Sequence, residues 1–231
     1  MFSMEVCPEC LVPRYITREH LWLDSGRIVQ KSDQSHRLTI IDTLNLDTLY
    51  HGISDLIGVP IERIVTETAR RTTRAYMEKL FPAEMKAVAR RSFEDLMGLV
   101  EMGFQVGRLL GCGDARLIEI SVKGKADDFV TIEVTEPYSA PLYFGNFAGT
   151  AEVGLGQDAG VTYREISPGI FEASVFRAEH PVEMRERLAA KRYVYETGTV
   201  PLEKCGTCGG PAGLSDYEWN METGIIKTRG S

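Results

Sequence analysis

Residues 134–175 read VTEPYSAPLYFGNFAGTAEVGLGQDAGVTYREISPGIFEASV, and the change of period inside this stretch decides the fold. The segment APLYFGNFAGTAEVGLG predicts a helix with Gly145 and Gly149 on one side and Phe144, Phe147, Ala148 and Ala151 around it. GVTYREISPGIFEASVFR then predicts a hairpin centred on SPG, where proline and glycine set a turn between two alternating runs. Upstream, RLIEISVKGKADDFVTIEVTEP predicts two more strands joined by the polar turn KGKADD, with Asp127 and Asp128 solvated.

Further upstream the pattern is helical. After a short alternating strand, RLTIID, the run LDTLYHGISDLIG spaces Leu46, Leu49, Tyr50, Ile53, Leu56 and Ile57 on one helix face, and Gly58 suits its C-terminal cap. Pro60 fits the first turn of a second helix carrying Ile61, Ile64, Val65, Ala69, Thr72, Tyr76 and Leu80. Pro82 opens a third helix to about Leu110, its inner face Phe93, Met97, Val100, Phe104 and Gly107. HPVEMRERLAAKRYVYE predicts a last helix, with Pro181 at its first position and His180 as a cap. Helices followed by an antiparallel sheet interrupted by a glycine-rich helix make an α+β domain, expected over 36–195.

The two ends form a second pattern. CPEC (7–10) and CGTC (205–208) hold four of the five cysteines. From Cys10 to Gly26 is sixteen residues, and from Cys208 to Gly224 is sixteen again, each glycine sitting in a hairpin signal, DSG or ETG. The repeated knuckle and hairpin predict a zinc ribbon split between 1–35 and 196–231, with Cys7, Cys10, Cys205 and Cys208 as ligands of a structural zinc. Hairpins this short bury too little apolar surface to fold alone, which is the physical need for a metal. Two redox pairs are the alternative, disfavoured because these pairs lie in Pro/Gly-rich turns and not where a strand enters a helix. His20 is a fifth candidate ligand, a surface histidine being the commoner case. Cys112, flanked by glycines, reads as a small packed residue.

Composition bounds the function. The chain has 231 residues, 43% apolar and 26% charged, with no apolar run near the ~20 residues of a membrane span. MFSMEVCPEC lacks the basic and long apolar regions of a signal peptide, so a reducing cytoplasm is the expected setting. The net charge of −7 argues against a nucleic-acid partner, and the one basic cluster, ARRTTRAYMEK, reads as a solvated helix face. Glu133, Glu136, Glu152 and Glu165 show no catalytic spacing, and no phosphate loop, nucleophile elbow or HExxH motif occurs. The histidines His20, His36, His51 and His180 are scattered.

Pro137, Tyr138, Gly145, Gly149, Glu152, Gly156, Val161 and Glu165 carry a resemblance. Around them the chain resembles the C-terminal half of the 4-vinyl-reductase small-molecule-binding domain, and more loosely that whole domain over roughly 36–180. That family is related in fold to TRAPP transport-complex subunits and to haem-dependent nitric-oxide sensors. The resemblance implies a hydrophobic ligand pocket among the helices and the sheet, often with dimerisation. Phenol-sensing members hold zinc through a cysteine cluster inside the domain. That cluster is absent here, so phenol specificity is not implied. The aromatic residues able to line such a pocket are Tyr50, Tyr76, Phe93, Phe104, Tyr138, Tyr143, Phe144 and Phe147, with His51 beside them. The function expected is a zinc-containing binding or sensor protein, a homodimer or a subunit of a larger complex, for an aromatic, acyl or tetrapyrrole-like molecule. The alternative is an enzyme, or an accessory subunit of one, acting on such a molecule, with His51 or Tyr138 essential.

Overall fold

The structure is a computed structural model and describes residues 5–32, 34, 37–81, 83, 87, 92–122, 127–180 and 198–230. Its helices are α1 (Arg14–Glu19), α2 (Leu46–Ile57), α3 (Glu62–Leu80), α4 (Phe93–Leu109) and α5 (Ala140–Leu155). Its strands are β1 (His20–Trp22), β2 (Ile28–Gln30), β3 (Arg37–Leu38), β4 (Asp114–Ser121), β5 (Phe129–Thr135), β6 (Ala159–Ser167), β7 (Ile170–Arg177), β8 (Tyr217–Asn220) and β9 (Ile225–Thr228). The chain divides into two compact units. One comprises Met1–Ile41, Arg108–Gly111 and Lys191–Ser231, the other Asp42–Gly107 and Cys112–Ala190.

The larger unit is α+β, as its periodicities require. Its sheet runs β4-β5-β7-β6, antiparallel throughout. In β5 the alternation buries Val130, Ile132 and Val134 and leaves the residues between them half-exposed. These three pack with Ala173 of β7, Phe104 of α4, and Ala140 and Phe144 of α5 in one core.

Helix α5 crosses α3 at close range because of two of its three glycines, Gly145 and Gly149. A Cβ on Gly145 would overlap the Thr66 carbonyl oxygen, and one on Gly149 the Arg70 carbonyl oxygen. Only glycine lets two helix backbones approach so closely.

The helical expectations hold with shifted boundaries. Gly58 ends α2 in the left-handed region at φ 69°. Pro60 lies outside α3, whose N-cap is Ile61. Within the third expected helix the structure gives α4 as Phe93–Leu109, with Phe93 exposed and Phe104 in the core. The strand expected over RLTIID shrinks to Arg37–Leu38. Asp128, expected to be solvated, is buried. The last expected helix, including Pro181, lies outside the described residues, as does His36. No residue of α2 is buried, and Leu49, Leu56 and Ile57 are exposed. Periodicity fixes that this helix has an apolar face but not what the face meets.

The smaller unit holds β1-β2-β3 and the β8-β9 hairpin. Each end begins with the same knuckle. Cys7 N–H donates to Val12 O and Leu11 N–H to Cys7 O, while Cys205 N–H donates to Gly210 O and Gly209 N–H to Cys205 O. Leu11 and Gly209 occupy the equivalent left-handed position, at φ 60° and 71°. The turn glycines Gly26 and Gly224 are also left-handed. The copies part in the hairpins. Trp22 pairs with Ile28 across a five-residue connection, 23–27, and Asn220 with Ile225 across a four-residue one, 221–224.

Among the described residues no helix is long and apolar enough to cross a membrane.

Candidate ligand groove and four-cysteine cluster

The approach of α5 to α3 leaves an open groove of about 360 Å³ bounded also by α2. Tyr50 of α2, Ile64, Val65, Thr68, Ala69, Thr72 and Thr73 of α3, and Leu142 and Asn146 of α5 line it. The walls are thus apolar with hydroxyls at four points, Tyr50 and three threonines, and one amide. That amide is fixed from both sides: Thr73 Oγ1 donates to Asn146 Oδ1 at 2.7 Å, and Asn146 Nδ2 donates to Tyr138 Oη at 2.7 Å. Burial pushes the Tyr138 phenol well above its ordinary range, so it stays a neutral hydroxyl.

Of the side chains expected to form a pocket, Tyr50 lines this groove and Tyr138 reaches it through Asn146. Phe104, Tyr143, Phe144 and Phe147 belong to the core against the sheet instead. Phe144 is fully buried and stacks on Tyr163 at 4.7 Å between centroids. Tyr76 is half-buried, and Phe93 is exposed. His51 is exposed, with Nε2 3.8 Å from Glu62 Oε1. Helical spacing marks aromatic residues as inward-facing without telling a filled core from a groove. The lining residues missed by the sequence reading are Ile64, Val65, Ala69 and the threonines of α3, with Leu142 and Asn146 of α5. The only signal for the threonines is polar groups on the side of a helix that also carries Ile64, Val65 and Ala69.

Next to the groove lies a buried ion network. Arg70 Nη1 donates to Glu152 Oε1 at 2.5 Å, and Arg70 also pairs with Glu67. Arg74 Nη1 donates to Asp158 Oδ1 at 2.8 Å and lies 3.4 Å from Glu152 Oε2. Glu152 Oε1 further accepts the Ala159 N–H, and His180 Nε2 sits 2.9 Å from the Ala159 carbonyl. This corrects the expectation for ARRTTRAYMEK: Arg70 is 4% exposed and is no solvated face. It also gives His180 a partner on β6, while the helix that His180 is expected to cap lies outside the described residues. Burial raises the Glu67 carboxyl, but the hydrogen bond and charge of Arg70 outweigh it and hold the group below its ordinary value.

In the smaller unit the four knuckle cysteines converge. Cys7 Sγ lies 3.8 Å from Cys205 Sγ and Cys10 Sγ 3.6 Å from Cys208 Sγ, and all four sulfurs fall within 4.8 Å of one another. The Cys10 N–H, aimed at the Cys7 sulfur, holds that thiol down to about 7. Across the knuckles Thr207 Oγ1 donates to Glu9 Oε2 at 2.6 Å. His20 is outside this group and is not a surface residue. It is buried, with Nδ1 2.9 Å from the Ile16 carbonyl. Burial pushes the Cys112 thiol up to about 12, which suits a packed residue and not a nucleophile.

No family model and no curated protein matches the chain. Solved structures do. The phenol-responsive sensory domain of the transcription activator PoxR, crystallised with phenol, is 12% identical with a TM-score of 0.50, over 70% of this chain and 86% of that one. The fold is similar to that sensory domain. A mutant of the T. Tengcongensis H-NOX (19% identity, TM-score 0.40, 64% of this chain and 79% of that one) also matches. So does an oxygen-binding H-NOX domain related to soluble guanylate cyclases (18%, 0.37, 68% and 80%). These findings correct the resemblance drawn from residues 134–175. The structural neighbours are PoxR and H-NOX sensory domains, not 4-vinyl-reductase domains. Nor does any family match identify the two ends as a zinc ribbon; they hold a cluster of four cysteines. The glycines and strand pattern that carried the resemblance are packing requirements of the fold, which unrelated sequences can share.

Proposed function

We propose that the larger unit is a sensor domain that binds a small, largely apolar molecule in the groove between α2, α3 and α5, with Asn146 as its polar anchor. The groove itself carries this reading. A cavity of about 150 Å³ is enough to hold benzene, so about 360 Å³ suits a molecule of one or two rings. Thr68, Thr72 and Thr73 offer hydroxyls to a phenolic or carbonyl group, while Ile64, Val65 and Leu142 supply apolar contact. The likeness in fold to a domain crystallised with phenol supports the same reading.

The test is thermal unfolding of the full chain with a panel of phenols, bicyclic aromatics and short acyl compounds, repeated on Thr72→Phe, which fills the groove. A ligand at a hundred times its Kd stabilises by about 2.7 kcal/mol. Wild type should melt higher with at least one class, and the filled variant should not respond. Equal shifts in both proteins, or none with any class, would remove the groove from consideration.

A further inference from the structure

We propose that Cys7, Cys10, Cys205 and Cys208 bind one zinc ion, and that this ion, more than the burial within its hairpins, holds the smaller unit folded. The inference is independent of the groove and its ligand.

Distance is the first argument. Zinc–sulfur bonds of about 2.3 Å in a tetrahedron place neighbouring sulfurs about 3.8 Å apart. Two of the sulfur pairs here stand at 3.8 and 3.6 Å, each joining one knuckle to the other. The remaining separations stay within 4.8 Å, so a single ion can reach all four sulfurs with small rotamer changes.

The backbone is the second argument. Each knuckle turns its two cysteines inward with the same pair of hydrogen bonds and a left-handed residue at the same position. Two copies of one turn facing each other across four sulfurs have a common purpose in presenting thiolates to a shared centre. The group contains neither His20 nor any carboxylate, and four sulfurs close a tetrahedral shell. A closed shell leaves no position for water, so the ion's role is structural.

Size is the third. The strands here have two to four residues, and the buried apolar cluster consists of the cysteines with Val12, Ile16 and Leu214. Without a metal, three of its six buried members are thiols with weak mutual attraction. Short hairpins of this kind are marginal in water, and metal binding supplies the missing folding free energy. The ligands lie 198 residues apart, so the same ion also closes almost the whole chain into a loop.

The chain provides its own reporter. It has two tryptophans, Trp22 and Trp219, and both pack against the cysteine cluster. Tryptophan fluorescence therefore reads the smaller unit, while far-UV circular dichroism is dominated by the helices of the larger one. The full chain, purified reduced and without added metal, should contain one zinc by elemental analysis and native mass spectrometry. Stripping it with a mercurial and chelator should red-shift the tryptophan emission and leave most of the helical signal. Zinc should restore the emission at a one-to-one ratio, and cobalt should give the visible bands of a tetrahedral tetrathiolate. Cys208→Ser, at the most accessible ligand, should weaken zinc binding at least tenfold. A bound iron, which prefers the same donors, would overturn the zinc assignment. So would a chain that takes up no metal when stripped and reduced, or a stripped chain with unchanged emission and melting.

Discussion

Arg70 and Glu152, 82 residues apart in the chain, meet at 2.5 Å with side chains 4% and 0% exposed. Each charge has left water and is compensated by the other and by Glu67, Arg74 and the Ala159 N–H. Removing one member leaves a buried charge without its partner, at a cost of about 3–5 kcal/mol. Glu152→Ala should therefore lower stability by that amount in urea unfolding followed by circular dichroism. Replacing both residues with apolar ones, as in R70M/E152L, should recover much of the loss, because the desolvation penalty disappears with the charges. A loss below about 1 kcal/mol in the single variant would mean water reaches the pair.

Gly149 and Gly154 lie on the same helix and make a controlled comparison. A Cβ at 149 meets the backbone of Arg70 and Arg74, whereas one at 154 meets nothing within 4 Å. Backbone atoms cannot step aside as side chains do, so Gly149→Ala should cost about 1–3 kcal/mol by forcing α3 and α5 apart. Gly154→Ala should be neutral or stabilise by up to about 1 kcal/mol, alanine being the better helix former. Because Asn146 is on α5 and Thr73 on α3, Gly149→Ala should also weaken whatever ligand the groove binds. Equal melting temperatures for the two variants would refute the close crossing.

Cys112 is half-buried, but its sulfur is held among packed groups. It should react much more slowly with thiol reagents in the folded protein than in the unfolded one. Burial raises its thiol from 9.0 to about 12, so at pH 8 the folded chain presents almost no thiolate there. Mass mapping after brief alkylation should find Cys112 unmodified until denaturant is added. The same shift sets a pH dependence. The folded state keeps this proton where the unfolded state has lost it, so the contribution is present below pH 9.0 and declines as pH rises toward 12. Cys112→Ala should accordingly flatten the loss of stability between those values. Rapid native alkylation at pH 8 would contradict the raised thiol.

Much of the architecture is legible locally. Gly58, SPG and the alternation of β5 act over a few residues, through positive φ, restricted turns and side chains that alternate between faces. The glycine pair of α5 announces a close helix neighbour, though not which one. The paired cysteines with equal spacing to Gly26 and Gly224 are similarly plain, because a knuckle is a local turn that any chain length can separate. The groove is not legible, since it consists of a space between three elements and polar residues whose pattern alone resembles a wet helix face.

The sequence by itself determined the α+β order of elements, the glycine turns and the two repeated knuckles, all consequences of short-range sterics and hydrophobic period. Tertiary structure alone decided the fates of the polar and aromatic residues. Arg70 and Arg74 look solvated until Glu152 and Asp158 arrive from 82 and 84 residues away. Phe144 and Tyr50 share a pattern yet end in a sealed core and an open groove. Whether a side chain is buried, paired or free depends on what the far part of the chain brings to it, and periodicity carries no information about distant partners.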